Sequence, residues 1–198
     1  MILVFDFDGT IHNTEISYEK AITESLNELG IPVDGFDYRS FIGMSPRAVR
    51  DEILKDNTDN TAYIKKNGDR IIKYMRESGE LYDGAIETLE YLKEKYELYI
   101  LSKCRRVYME AAREKFDLDR YFSKYFIGED YNFIDKYKIL AREIKDDYIM
   151  IGDRKEDIKA GIKNNKKTIF ATYGYGSLDE AIGSDIKISS IADLKEIL

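Results

Sequence analysis

The sequence predicts an α/β fold, a parallel sheet of βαβ units interrupted directly after its first strand by an inserted block of helices. Three observations carry this expectation. Short apolar runs rich in Ile, Leu, Phe and Tyr stand at Leu3–Phe7, Leu98–Leu101, Tyr148–Ile151 and Thr168–Ala171, as in strands buried on both faces. Amphipathic stretches of helical length separate the later runs. From Glu15 to about Gly79 the spacing is helical throughout, with no convincing strand.

Taken in order, the first strand ends in Asp8-Gly9-Thr10, and His12-Asn13-Thr14 supplies polar capping groups. Ile16, Ala21, Ile22, Leu26 and Leu29 then mark a helix that stops at Gly30, with Pro32 just beyond. Ser45 as N-cap with Pro46 in the first turn predicts a second helix to about Lys55, and 56–61 reads as a turn. Tyr63, Ile64, Ile71, Ile72 and Met75 mark a third helix, weakened by Gly68. Gly84 opens a helix carrying Ile86, Leu89 and Leu92, which leads into the strand at Leu98. Beyond it come a helix near Arg105–Phe116, a short apolar piece Tyr125–Ile127, and a helix from Lys136 to about Ile144. The strand at Tyr148 runs into Gly152-Asp153, and a helix covers Asp157–Lys163. The strand at Thr168, a further one at Ile186–Ile188 and a helix over Ile191–Leu198 complete the chain. The domain expectation is a core of residues 1–13 and 81–198 with a helical cap at 14–80.

At 198 residues the chain can bury a proper core. Its net charge of −7, with both signs interspersed, argues against a nucleic-acid partner. Cys104 is the single cysteine, so no internal disulfide forms. No apolar run approaches the roughly 20 residues that span a bilayer, and the chain enters its first strand too early for a signal peptide. The expectation is a cytoplasmic protein with no membrane partner.

The chemistry begins at Asp6 and Asp8, because a buried strand has no structural use for unpaired carboxylates. Ligands of open parallel sheets bind outside the carboxyl ends of the strands. Three such ends carry polar groups: Asp6 and Asp8, Ser102 and Lys103, and Asp153 with Asp157. Converging carboxylates need a cation, and an oxygen-only donor set without a Cys or His cluster suits Mg²⁺. Gly9 and Gly152 are expected to let the backbone approach a ligand closely.

These motifs, DFDGT after the first strand, Ser102 at the end of a second, a lysine at a helix start and GDRKED after another strand, resemble the haloacid dehalogenase superfamily of phosphohydrolases in type and order. The helical insert, LYDGAIETLEYLKEKYELYILS and TYGYGS resemble the branch of phosphoglycolate phosphatase-like members. The resemblance implies a Rossmann-like core with an inserted α-helical cap, and a residue set with roles. Asp6 is then the nucleophile, and Asp8 protonates the leaving oxygen and later activates water. Gly9, Ser102, Lys103 and a lysine at 136 or 138 contact the phosphoryl group. Asp6, the Asp8 carbonyl, Asp153 and Asp157 hold or support Mg²⁺.

The sequence departs from the family pattern in three places. Lys103 follows Ser102 where Asn is common, Asn13 stands where many relatives carry Asp, and both Lys136 and Lys138 precede an apolar helix. Lys136 is favoured because Ile139-Leu140 follow it at the expected distance. Lys103 and Arg47 are open between substrate contact and solvated charge. His12 is expected as a hinge residue with a solvated ring, Cys104 as a small buried hydrophobe, and Tyr63, Tyr74, Tyr173 and Tyr175 as packing. The expected activity is Mg²⁺-dependent hydrolysis of a small phosphorylated metabolite. The alternatives are a phosphotransferase such as a sugar-phosphate mutase, and a non-catalytic protein that binds a phosphorylated ligand.

Overall fold

The computed structural model describes residues 1–28, 30, 32–33, 37–42, 44, 47–48, 51 and 61–198, with side chains given outside 61–65. Leu29, Gly43, the Ser45-Pro46 helix start and the turn at 56–60 lie outside the described residues, as do the side chains of Tyr63 and Ile64.

Strand β1 (Ile2–Phe5) is fully buried and leads through the turn at Asp8–Thr10 into β2 (His12–Asn13). Helix α1 (Glu15–Glu28) and helix α2 (Thr61–Ser78) pack together, with a short 3₁₀ turn at Tyr38–Phe41 against α1. Tyr18, Ile22 and Leu26 of α1 cluster with Phe41 and Ile42, and Ile71 of α2 packs both on this cluster and on the core of the sheet, which Met75 joins. The chain then returns through β3 (Glu80–Leu81), which pairs antiparallel with β2, His12 opposite Leu81 and Asn13 opposite Glu80. The exit and return of the helical block are thus zipped together. A pair of two-residue strands carries too little periodicity to be read in sequence.

The rest alternates regularly: α3 (Ala85–Lys93), β4 (Glu97–Ser102), α4 (Arg106–Phe116), β5 (Phe122–Ile127), α5 (Lys136–Glu143), β6 (Tyr148–Gly152), α6 (Lys155–Lys163), β7 (Lys167–Ala171), β8 (Ile186–Ile188) and α7 (Leu194–Ile197). Gly84, at φ 76°, caps α3 in the left-handed region open to glycine. Two expectations shift. β5 reaches back to Phe122, where solvent-facing Ser123 and Lys124 hide the strand pattern. The C-terminal helix opens as a 3₁₀ turn at Ile191–Asp193, under a Ser190–Asp193 capping box.

Among the described residues six strands form one sheet in the order β5-β4-β1-β6-β7-β8, every neighbouring pair parallel. Alternation along the strands divides the core. Leu3, Phe5, Leu98, Ile100, Ile149 and Ile151 meet α3 and α4 on one face. Ile2, Val4, Tyr99, Leu101, Tyr148 and Met150 meet α5 and α6 on the other. The chain order reverses at β1, which β4 and β6 flank in register at Phe5, Ile100 and Ile151. The crevice beyond the end of β1 is therefore the ligand position of this topology. No described helix is long and apolar enough to cross a membrane.

Helix α6 lies so close to β7 that a Cβ on Gly161 would stand 2.1 Å from Thr168 Cγ2. Gly161→Ala is expected to lower stability by about 1–3 kcal/mol through overpacking, despite alanine's better helix propensity. Urea unfolding curves measure this.

Candidate active site

The end of β1 delivers Asp6 into the crevice, where the carboxylate is 2% exposed and Oδ1 accepts from the Phe7 backbone N–H at 2.8 Å. β1 ends at Phe5, earlier than the expected Phe7, and Phe7 O instead accepts the backbone N–H groups of the following turn. Helix α5 starts at Lys136, whose Nζ lies 2.9 Å from Asp6 Oδ1 and 2.6 Å from Asp157 Oδ1. Asp157 Oδ2 accepts from the Arg154 N–H at 3.0 Å at the start of α6. Asp153, at the end of β6, accepts from the Thr10 hydroxyl at 3.1 Å and from the Tyr175 N–H at 2.8 Å. Asp6, Asp153 and Asp157 are all buried, and each offers an oxygen within 4.8 Å of the others.

Three buried carboxylates face one lysine, and the imbalance appears in the proton affinities of Asp6 and Asp153. Burial pushes the Asp6 carboxyl well above the usual range; Lys136 opposes this, and Asp157 and Asp153 reinforce it. Burial, aided by Asp157, raises Asp153 to about 7. Burial pushes the Lys136 ammonium down, but Asp157 and Asp6 outweigh it and the net direction is up. Lys136 is therefore a fixed cation, and the excess negative charge around it suits a further cation. All the donors are carboxylate oxygens, hard ligands with no Cys or His among them, which fit Mg²⁺.

Asp8 is held apart from this cluster. Its Oδ1 accepts from the Thr14 hydroxyl at 2.8 Å and from the Tyr108 hydroxyl at 2.6 Å, with His12 Nδ1 at 3.3 Å. Two carboxylates two residues apart thus occupy different settings, one beside a lysine and one among hydroxyl donors. Asp6, Asp8, Ser102 and Lys103 line one side of a cavity of about 90 Å³, and Tyr18, Ile42, Asn67 and Ile71 from the helical block line the other.

The haloacid dehalogenase-like hydrolase family model matches residues 3–171. The chain belongs to this family. As a haloacid dehalogenase-like hydrolase it is 25% identical over 207 residues to a phosphoglycolate phosphatase of Aquifex aeolicus, covering 100% of this chain and 96% of that protein. A predicted phosphatase from Clostridium acetobutylicum superimposes with a TM-score of 0.82 at 25% identity, over 99% of this chain and 96% of that one. The HAD-hydrolase YfnB from Bacillus subtilis, solved bound to magnesium, shares the fold with a TM-score of 0.75 at 18% identity, over 100% and 97%.

Within this hydrolase fold the structure brings together Asp6, Asp153, Asp157 and Lys136, with Asp8, Ser102 and Lys103 on the adjoining cavity. Lys138 is 54% exposed and pairs with Asp135 at 3.5 Å, so it stands outside the cluster. Arg47 is 82% exposed and lies 3.8 Å from Asp51. Lys103 lines the cavity, partly buried, its ammonium 3.5 Å from the Phe133 carbonyl. Burial pushes the Cys104 thiol up, so it is no ready thiolate.

Two sequence readings need correction, those of His12 and Tyr175. His12 has no exposed surface: its ring stacks on Phe7 and its Nδ1 lies among Asp8, Thr14 and Tyr108. Gly9 and Gly152 also make room for neighbouring aspartates, since a Cβ at either would stand 2.3 Å from a carboxylate oxygen of Asp153 or Asp157. Tyr175 does more than pack, because its N–H holds Asp153 and its hydroxyl donates to Asn13 at 3.1 Å while accepting from the Glu15 N–H. Thr10, Thr14 and Tyr108 were missed. The glycines of TYGYGS were the available signal for the Tyr175 loop, since a Cβ on Gly174 would stand 2.3 Å from Asp153 Cβ.

Lys136→Ala leaves buried Asp6 and Asp157 without their cation, which is expected to cost about 3–5 kcal/mol. Lys138→Ala, at an exposed pair, is expected to cost under about 1 kcal/mol. Chemical unfolding of both variants in EDTA separates the two lysines.

Proposed function

We propose that this hydrolase is a Mg²⁺-dependent phosphatase that cleaves small phosphorylated metabolites through an aspartyl-phosphate on Asp6. The observation that carries this reading is the different setting of the two aspartates on one cavity. Asp6 lies against the Lys136 ammonium, which favours its anionic, nucleophilic form, and Asp8 lies apart from that cation, held on one oxygen by hydroxyl donors that fix its orientation for proton transfer. The phosphoglycolate phosphatase relative supports the substrate class, and the magnesium in the Bacillus subtilis structure supports the metal.

In this mechanism an Asp6 oxygen attacks phosphorus in line with the departing oxygen. The P–O bond to the alcohol breaks, and the alcohol leaves with a proton from Asp8. Asp8, now a carboxylate, takes a proton from water as the water attacks the phosphoryl group, and phosphate and free Asp6 result. Ser102 and Lys103 bind phosphoryl oxygens, with Gly9 alongside. Lys136 neutralises Asp6 and the transferring group, and Asp157 holds Lys136 in place. Asp6, Asp153 and the Asp8 carbonyl would hold Mg²⁺, with Asp157 in support; when bound, the ion supplies positive charge to the transferring group.

The helical block at 14–80 acts as a cap, since Tyr18, Ile42 and Ile71 cover the cavity from the side opposite Asp6. A covered site excludes water and strengthens each charge interaction within it. A cavity of about 90 Å³ between the block and the end of the sheet suits a compact phosphomonoester.

Asp6→Asn is expected to abolish Mg²⁺-dependent phosphate release from p-nitrophenyl phosphate; turnover equal to the parent protein's would overturn the nucleophile assignment. The pH dependence of metal-free stability follows from the raised carboxylates. A folded-state value above the ordinary 3.8 gives Asp153 a contribution that is complete below 3.8 and lost as pH rises through about 7. Mg²⁺ binds the deprotonated carboxylates. The rise in Tm from EDTA to saturating Mg²⁺ should therefore be larger at pH 8 than at pH 5, as scanning calorimetry can measure.

A further inference from the structure

We propose that Tyr108, with its hydroxyl oriented by His12, is the positioning residue for Asp8. This rests on the general acid/base role of Asp8 given above. Tyr108 lies in the first turn of α4, far from Asp8 in sequence and on a different strand–helix unit. It is 8% exposed, and its hydroxyl donates to Asp8 Oδ1 at 2.6 Å, the shortest contact that carboxylate makes among the described residues. The Thr14 hydroxyl donates to the same oxygen at 2.8 Å. No described donor reaches Oδ2, so the clasp holds one oxygen and leaves the other for the cavity that Asp8 lines. A carboxylate gripped on one oxygen by two hydroxyls is fixed in orientation, which proton delivery to a leaving oxygen requires.

His12 sets the direction of this clasp. Its Nδ1 stands 3.1 Å from the Tyr108 hydroxyl and 3.0 Å from Thr14 Oγ1. With the proton on Nδ1, the ring donates toward those two oxygens; the Tyr108 proton is left for Asp8, and the Thr14 proton has Asp8 at 2.8 Å as its shorter acceptor against the His12 carbonyl at 3.2 Å. With the proton on Nε2, Nδ1 would compete with Asp8 for a hydroxyl proton, and a buried N–H would be left without an acceptor. Nε2 is buried with no hydrogen-bond partner among the described residues, beside the backbone of Gly79. An unpaired buried acceptor costs less than an unpaired donor combined with a broken clasp. Stacking on Phe7 at 5.2 Å and contact with Phe116 at 5.3 Å hold the ring in place. Because His12 belongs to β2, the clasp is built on the strand pair where the helical block leaves and rejoins the sheet.

The experiment compares two aryl esters that differ in their need for proton donation. 2,4-Dinitrophenyl phosphate expels a stable anion, whereas phenyl phosphate needs its leaving oxygen protonated. kcat/KM covers the steps through departure of the phenol, so its ratio for the two esters reads the acid step alone. For Tyr108→Phe the dinitrophenyl-to-phenyl ratio is expected to rise about tenfold or more over the parent value. Asp8→Asn should raise it further. His12→Phe, which keeps the stacked ring and removes the unpaired Nε2, should raise the ratio by a smaller factor; it decides the matter if Tyr108→Phe does not fold. An unchanged ratio in Tyr108→Phe, or in His12→Phe where that variant decides, overturns the positioning role when Asp8→Asn raises the ratio. An unchanged ratio in Asp8→Asn overturns the general-acid reading itself.

Discussion

The interaction on which the rest depends is the buried array of Asp6, Lys136 and Asp157. One ammonium lies between two carboxylates, 2.9 and 2.6 Å away, and none of the three side chains is more than 4% exposed. A pair of this kind contributes little net stability once desolvation is counted, yet breaking it is severe because a bare charge stays buried. Its consequence is positional. It ties the end of β1 to the starts of α5 and α6, on the face of the sheet where those two helices pack.

Around that array the molecule concentrates more negative charge than Lys136 balances. Asp153 is collared by Thr10 and the Tyr175 N–H, and glycines at 9, 174 and 176 let the backbone close tightly around it. Carboxylates held at close range, with the proton affinities of Asp6 and Asp153 raised by burial, leave an excess of negative charge that suits a further cation.

Asp8 shows how one turn gives two carboxylates different surroundings. Asp6 stays with the sheet and Lys136, whereas Asp8 turns toward Thr14 and Tyr108 and the strand pair that carries the helical block. Thr14, the residue before α1, thus contributes to the setting of Asp8.

The apolar runs alone determined the strands at Leu3, Leu98, Tyr148 and Thr168, since burial on both faces leaves an uninterrupted hydrophobic signature. The ordered motifs likewise determined that Asp6, Asp8, Ser102 and Asp153 belong at strand ends, and that the helical block follows the first strand. Contacts across the chain decided the rest. The sequence favours Lys136 over Lys138 on the spacing to Ile139-Leu140 alone, and the helical turn then puts the Lys136 side chain on Asp6 and the Lys138 side chain in solvent. His12 reads as a polar hinge residue, yet β2 and β3 enclose it against Phe7 and Phe116. Tyr108 carries no local signal at all, because its hydroxyl reaches a residue 100 positions away. Local patterning records which face a residue presents. Which distant group meets that face depends on how the strands are ordered in the sheet, and that is set by packing of the whole chain.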